Sequence, residues 1–258
     1  MKKAIKGKIF IIRRSYLAAL MLSLAVVAIF YVINHPAVVG RDRQEHVLPI
    51  YSVSREEQVI ALTFNLSATE DQHTSRVLTA LNQQEITATF FVTGQWVREN
   101  PQLALEMAQA GHELMNLSDD HGLLRRLHGE SLRENLLACS LVIYETTHTR
   151  PHFFRAPYGE YDSRLVETAN SLGMTSVQWS IDSGDWRGLT ADAIVHQVLN
   201  RSFSGGIVLL HSNLPQTAVA MPLLLQQLQE AGYEILPLSQ LIYQGEYVVS
   251  LSGVQSMQ

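Results

Sequence analysis

The chain has one cysteine, Cys139, in 258 residues. A single thiol excludes an internal disulfide in any redox compartment, so the fold has to be held by its core. Cys139 stands among Leu136, Leu137, Leu141 and Val142 and reads as a small core residue. No Gly-x-Gly-x-x-Gly turn follows the first apolar run, which argues against the nucleotide-binding version of an α/β sheet. There is no internal repeat, and no basic stripe that could track a nucleic-acid backbone. Nor is there any acidic residue among the first 34, or any charge at all from Tyr16 to Ile33.

That last absence organises the N-terminus. Lys2, Lys3, Lys6, Lys8, Arg13 and Arg14 precede the uncharged run, which is rich in Leu, Ala, Val and Ile. Eighteen such residues, as a helix, nearly cross a hydrocarbon core of ~30 Å. A buried helix would carry a polar stripe, and cleavage would need small residues where Val32-Ile33-Asn34-His35-Pro36 stands. The expectation is an uncleaved, single-pass anchor over residues 1–34, with the N-terminus cytoplasmic and the rest extracytoplasmic. Without the six leading basic residues, 13 Lys+Arg face 24 Asp+Glu, a net charge of −11. Residues 35–57 read as a linker, 58–245 as one domain and 246–258 as a tail or a short added strand.

The domain repeats short apolar runs and longer helical patterns. Val59–Phe64, Thr87–Val92, His112–Met115, His152–Arg155, Thr175–Trp179, Gly206–His211 and Tyr233–Leu236 read as buried strands. Ser131 with Glu134 suggests a capping box opening a helix that ends near Glu145, and Asp162 or Ser163 suits the next cap. Gly111, Gly173 and Gly232 stand where helices close, and Pro101 and Pro222 suit first-turn positions. Seven strands alternating with helices argue for a parallel α/β architecture. Asn65, Arg155, Asp182, Asp185 and His211 fall at or just beyond strand C-terminal ends, which favours a barrel with its chemistry on that face.

Four stretches carry that chemistry: Thr63-Phe64-Asn65-Leu66, Phe154-Arg155-Ala156-Pro157-Tyr158-Gly159, Asp182-Ser183-Gly184-Asp185-Trp186 and Leu209-Leu210-His211. Together they resemble the polysaccharide deacetylases, the NodB-homology or carbohydrate esterase family four enzymes, from about Val59 to Ile242. Gly94-Gln95-Trp96, Ser180-Ile181-Asp182-Ser183 and the Gln216–Leu225 stretch look closest to the sporulation-associated, PdaB-like branch. The resemblance implies a distorted (β/α)7 barrel and a hydrolase that removes acetyl groups from N-acetylated sugars with a metal-bound water, zinc being typical.

The resemblance also shows what is missing. The family's base and first metal ligand are consecutive aspartates, and Asn65 and Leu66 stand there. An amide cannot take up a proton near neutral pH, and an alkyl chain cannot bind a cation. The two histidine ligands, expected soon after Gly111-His112-Glu113, fall on Leu117 and His121, so His121 alone is retained. Zinc wants three protein ligands, and no metal cofactor is expected. A substitute set from Asp71, His73, Asp119 and Asp120 is the alternative to those residues being merely solvated. The resemblance implies that Arg155 pairs with the base, that the backbone near Tyr158 binds an oxyanion, and that Asp185 charges His211 as the acid. Tyr158, Trp186 and Leu210 would meet substrate. With the base position neutral, Arg155 needs another acceptor, and Asp182 and Asp185 are nearest in sequence. A satisfied core histidine is the plainer reading of His211. Three functions follow: an active glycan deacetylase through a substitute site, a silent glycan-binding domain in which Trp96, Trp186 and Tyr158 stack on sugars, or a structural membrane protein. A glycan or cell-wall polysaccharide and the membrane are the expected partners; nucleic acid is not.

Overall fold

The computed structural model describes residues 48–67 and 72–258. The anchor expected at Tyr16–Ile33 lies outside them, and no helix among the described residues is long and apolar enough to cross a membrane.

In chain order the strands are β1 (Ser52–Val53), β2 (Val59–Leu66), β3 (Thr89–Val92), β4 (Glu113–Asn116), β5 (Phe153–Phe154), β6 (Thr175–Ser176), β7 (Ile181–Asp182), β8 (Gly206–His211), β9 (Glu234–Ile235), β10 (Tyr247–Val249) and β11 (Val254–Met257). The helices are α1 (Thr74–Gln83), α2 (Gly94–Glu99), α3 (Pro101–Gln109), α4 (Glu130–Thr147), α5 (Ser163–Ser171), α6 (Ala191–Leu199), α7 (Pro215–Glu230) and α8 (Leu238–Leu241).

All eight residues of β2 are buried, as a continuous apolar run between two parallel neighbours requires. Strand alternation then sorts its side chains. Ile60, Leu62, Phe64 and Leu66 join a cluster with Val77, Leu81, Trp96, Met107, Val198, Met221 and Leu225 of the surrounding helices. Val59 and Ala61 turn inward to meet Phe91, Met115, Leu117 and Phe153. Thr63 and Asn65 share this inner face by the same alternation, which makes them polar residues inside an apolar interior.

Strands β2 to β9 pair with one another only in parallel, in the orders β2-β3-β4-β5-β6 and β7-β8-β2, with β9 beside the first residues of β2. No ladder joins β6 to β7. The distorted (β/α)7 barrel of the sequence reading is an open one, and the gap is bridged by Ile50, which pairs with Val177 before β1 crosses to Gly206 of β8. All seven expected strands exist, several of them shorter. β7 was missed because Ser180-Ile181-Asp182 offers one apolar residue and no alternation. Ser52–Val53, inside the stretch read as a linker, and the β10–β11 hairpin, within the stretch read as a tail or a short added strand, extend the same sheet.

Helix ends follow local chemistry. The Asp162 carboxylate accepts the Leu165 N–H at 2.9 Å, and Gly111, Gly173 and Gly232 all have positive φ past helix ends. Pro101 opens α3. Two expectations fail. Ser131 lies inside the first turn of α4, where its hydroxyl donates back to the His128 carbonyl at 2.8 Å, so Gly129 stands at the cap. Pro222 lies inside α7, whose first turn is opened by Pro215; the buried Met221, Leu224 and Leu225 hold that helix through its missing N–H.

Candidate active site

Asn65 is the penultimate residue of β2 and His211 ends β8, and the two are register partners. Arg155 follows β5, and Asp182 ends β7. The C-terminal strand ends thus bring the expected polar residues to one mouth.

Arg155 is the centre of its floor. It is fully buried, yet among the described residues no carboxylate touches it. Nη1 donates to Asn65 Oδ1 at 3.0 Å, and Nη2 donates to Thr63 Oγ1 at 2.9 Å and to the Gln178 carbonyl at 3.0 Å. The guanidinium lies 4.0 Å from the Phe91 ring centroid and 5.6 Å from that of Trp179. Burial pushes its pKa well below the usual value. The partners expected from sequence, Asp182 and Asp185, are engaged elsewhere. Asp182 pairs with Arg187 at 3.5 Å and accepts from the Gly184 N–H and the Trp186 indole. Neutral oxygens and aromatic faces have taken the place of a counter-ion. Thr63, two residues before Asn65 on the same strand face, was the legible one of these partners; Gln178 and Phe91 gave no signal.

Asp185 is held in a full cage. It accepts from the Trp186 N–H at 2.8 Å, the His211 N–H at 2.6 Å and the Thr217 hydroxyl at 2.8 Å, and its Oδ1 lies 2.8 Å from His211 Nδ1. A carboxylate accepts at Nδ1, so the ring carries its proton there and leaves Nε2 free to exchange one. This is the geometry of an acid–base dyad, and Thr217, near the start of α7, is a member that sequence did not reveal.

The rim is aromatic. Tyr158 is 61% exposed with φ 61°, a left-handed backbone that non-glycine residues seldom adopt. Its ring meets His121 edge-on at 4.6 Å. Trp186 is 56% exposed and tied to Asp182 through its indole N–H. Trp96, by contrast, is fully buried and offers no stacking face. Leu210 is also removed from the mouth: alternation turns it from His211's side into the helix-facing cluster with Phe64 and Val208.

A divalent metal does not fit the described residues at the family's ligand positions. Leu66 and Leu117 are both fully buried, in two different apolar clusters. His121 remains, with its pKa lowered by burial first and by His211 second, against an opposing effect of Asp120. Asp119 is tied to Arg98 at 2.8 Å, and Asp120 accepts from Gly122 and Asn135. Among the described residues no three His, Cys, Asp or Glu side chains gather closely enough to hold a metal. Asp71 lies outside the described residues.

Residues 52–177 match the family described as "Polysaccharide deacetylase". A chitooligosaccharide deacetylase of Bradyrhizobium sp. (strain ANU 289) is 33% identical over 214 residues, 75% of this chain and 98% of that protein. The uncharacterized protein YlxY of Bacillus subtilis (strain 168) is 29% identical over 187 residues, 72% of this chain and 58% of that protein. Among solved structures, the wild-type CE4 family pseudoenzyme BA3943 of Bacillus anthracis has a TM-score of 0.72 at 27% identity, covering 76% of this chain and 69% of that one. A mutant of BA3943 described as having restored enzymatic activity has a TM-score of 0.73 at 27% identity, covering 76% and 71%. The chain belongs to the polysaccharide deacetylase family, and its α/β fold is that of the carbohydrate esterase family four proteins.

Proposed function

We propose that the chain is an anchored, extracytoplasmic protein of the cell envelope whose deacetylase pocket binds an N-acetylated, peptidoglycan-like glycan without metal-dependent deacetylation. The observation that carries this reading is an uneven pocket. The acid dyad, the buried arginine and the aromatic rim stand in order, while the base position is an amide and two ligand positions are buried leucines. Loss of a general base removes about 10²–10⁴ in rate. Without a metal, neither an activated water nor its charge stabilisation is supplied. The leading basic residues and the uncharged Tyr16–Ile33 run support the anchor, and the intervals between motifs support a place in the sporulation-associated branch.

The deciding assay is acetate release from an N-acetylglucosamine oligomer, with and without added zinc, beside a binding titration of the same oligomer. Binding without turnover is the expected result. Turnover that a chelator abolishes and zinc restores would reveal a substitute metal site. Turnover indifferent to chelator but lost in His211→Ala would reveal a metal-free reaction. Absence of both binding and turnover would leave a structural role.

A further inference from the structure

The last twelve residues, Tyr247 to Gln258, carry no charged side chain in a domain that is otherwise acidic. They form the β10–β11 hairpin, whose first strand is the outer edge of the sheet. Its turn presents Leu251, 92% exposed, and Val248 and Met257 are exposed along the two strands. Edge strands are ordinarily guarded by charge, and this one is not. Leucine at the tip of a turn is costly to leave in water.

The path of the chain says what lies beside it. The Tyr51 N–H donates to the Gly253 carbonyl at 2.8 Å, and the Tyr51 ring packs so closely that a Cβ on Gly253 would lie 2.4 Å from it. Gly253 has a φ of 77°, so both the space and the backbone require glycine there. The N-terminal side of the domain therefore meets the hairpin turn at Tyr51. Residues 34–50 separate Tyr51 from the uncharged Tyr16–Ile33 run. Even fully extended, seventeen residues reach at most about 60 Å, which bounds the distance from the turn to the end of that run. Tyr247 within the hairpin and Tyr51 and Tyr243 beside it are half-exposed, and tyrosine is at home in the interfacial layer. The remaining acidic surface would be repelled by anionic headgroups.

We infer that the hairpin turn, led by Leu251, rests in the interfacial layer of the membrane from which the chain emerges, and so fixes the domain against it. This rests on the anchored reading above.

The test uses the full chain in phosphatidylcholine vesicles carrying a lipid-borne nitroxide quencher. In a Cys139→Ala background, a single environment-sensitive dye is attached through Leu251→Cys or, as reference, through Leu137→Cys on the exposed face of α4, which packs beside β4. The expected result is flotation of both proteins, with a blue shift and severalfold stronger quenching at position 251. Adding Val248→Asp and Met257→Asp to the 251-labelled chain should remove that difference without loss of flotation. Flotation with equal quenching at both positions overturns the hairpin contact and leaves the anchor standing. Equal quenching with concentration-dependent pairing overturns it in favour of a second copy on the same edge. A chain that does not float overturns the anchor and the contact together.

Discussion

Arg155 is buried as deeply as any leucine of the core, and among the described residues its charge is met only by neutral groups. The cost of desolvating it is already borne by the native fold, which changes the usual arithmetic of buried ion pairs. Introducing a pair ordinarily desolvates two ions. Here Asn65→Asp would add one carboxylate, 3.0 Å from a guanidinium that is buried in any case. We expect the variant to be more stable than wild type at pH 7, because a carboxylate offsets a buried guanidinium better than the amide oxygen it replaces. The new carboxyl would have its folded-state pKa depressed by the guanidinium. Its gain is then present above the unfolded aspartate pKa of about 3.9 and is lost as pH falls through the folded value. Urea denaturation of both proteins at several pH values checks this. A variant no more stable than wild type at pH 7 would mean that Thr63, Gln178 and the aromatic faces already compensate the charge in full.

At the level of elements, a second titration is built into the start of β4. His112 is buried, accepts the Ala88 N–H at Nδ1, and has no partner at Nε2. Burial lowers its pKa to about 4. The unfolded chain takes up a proton near pH 6.5 and the folded chain does not until about pH 4, so stability falls as pH drops through that window. The full difference corresponds to roughly 3 kcal/mol. His112→Gln should flatten the stability profile between pH 6.5 and 4 relative to wild type, and an unchanged slope would assign acid lability to other groups. The same strand shows what sequence could convey. Buried parallel strands announce themselves as apolar runs, which is why β2, β3 and β8 were legible almost to their ends. β7 has two residues, and its pairing with β8 is fixed by a neighbour far away in sequence. The start of α4 was misread because Ser131 has two local options, and the one it takes is a bond to His128 rather than a cap. In the site, Asn65, Arg155, Asp185 and His211 were legible because motifs fix them on strand ends. Thr217 and Gln178 were not, because one reaches Asp185 from a helix and the other offers Arg155 only its backbone carbonyl.

At the scale of the whole molecule, the pocket draws its parts from separately packed layers, and this determines how it could be repaired. Leu66 belongs to the sheet–helix cluster and Leu117 to the inner cluster. Leu66→Asp or Leu117→His alone would replace a buried alkyl chain by a polar group without a partner. Each single change should cost about 2–5 kcal/mol, the range for emptying a buried leucine site, and should bind no zinc. Asn65→Asp, Leu66→Asp and Leu117→His together would complete, with His121, three ligands and a base around the existing Arg155 and Asp185–His211 dyad. Because ligands act as a set, the gain should be far from additive. The triple variant should unfold at higher denaturant when zinc is present, by about 2.7 kcal/mol at a free concentration one hundred times its dissociation constant. Zinc-dependent acetate release from an N-acetylglucosamine oligomer should appear in the triple variant and in none of the single ones. Zinc stabilisation without acetate release would mean that the ligands converge but the base or the acid does not meet the bound sugar. A triple variant that folds and ignores zinc would mean that the two leucines have drawn the strand ends away from a common centre.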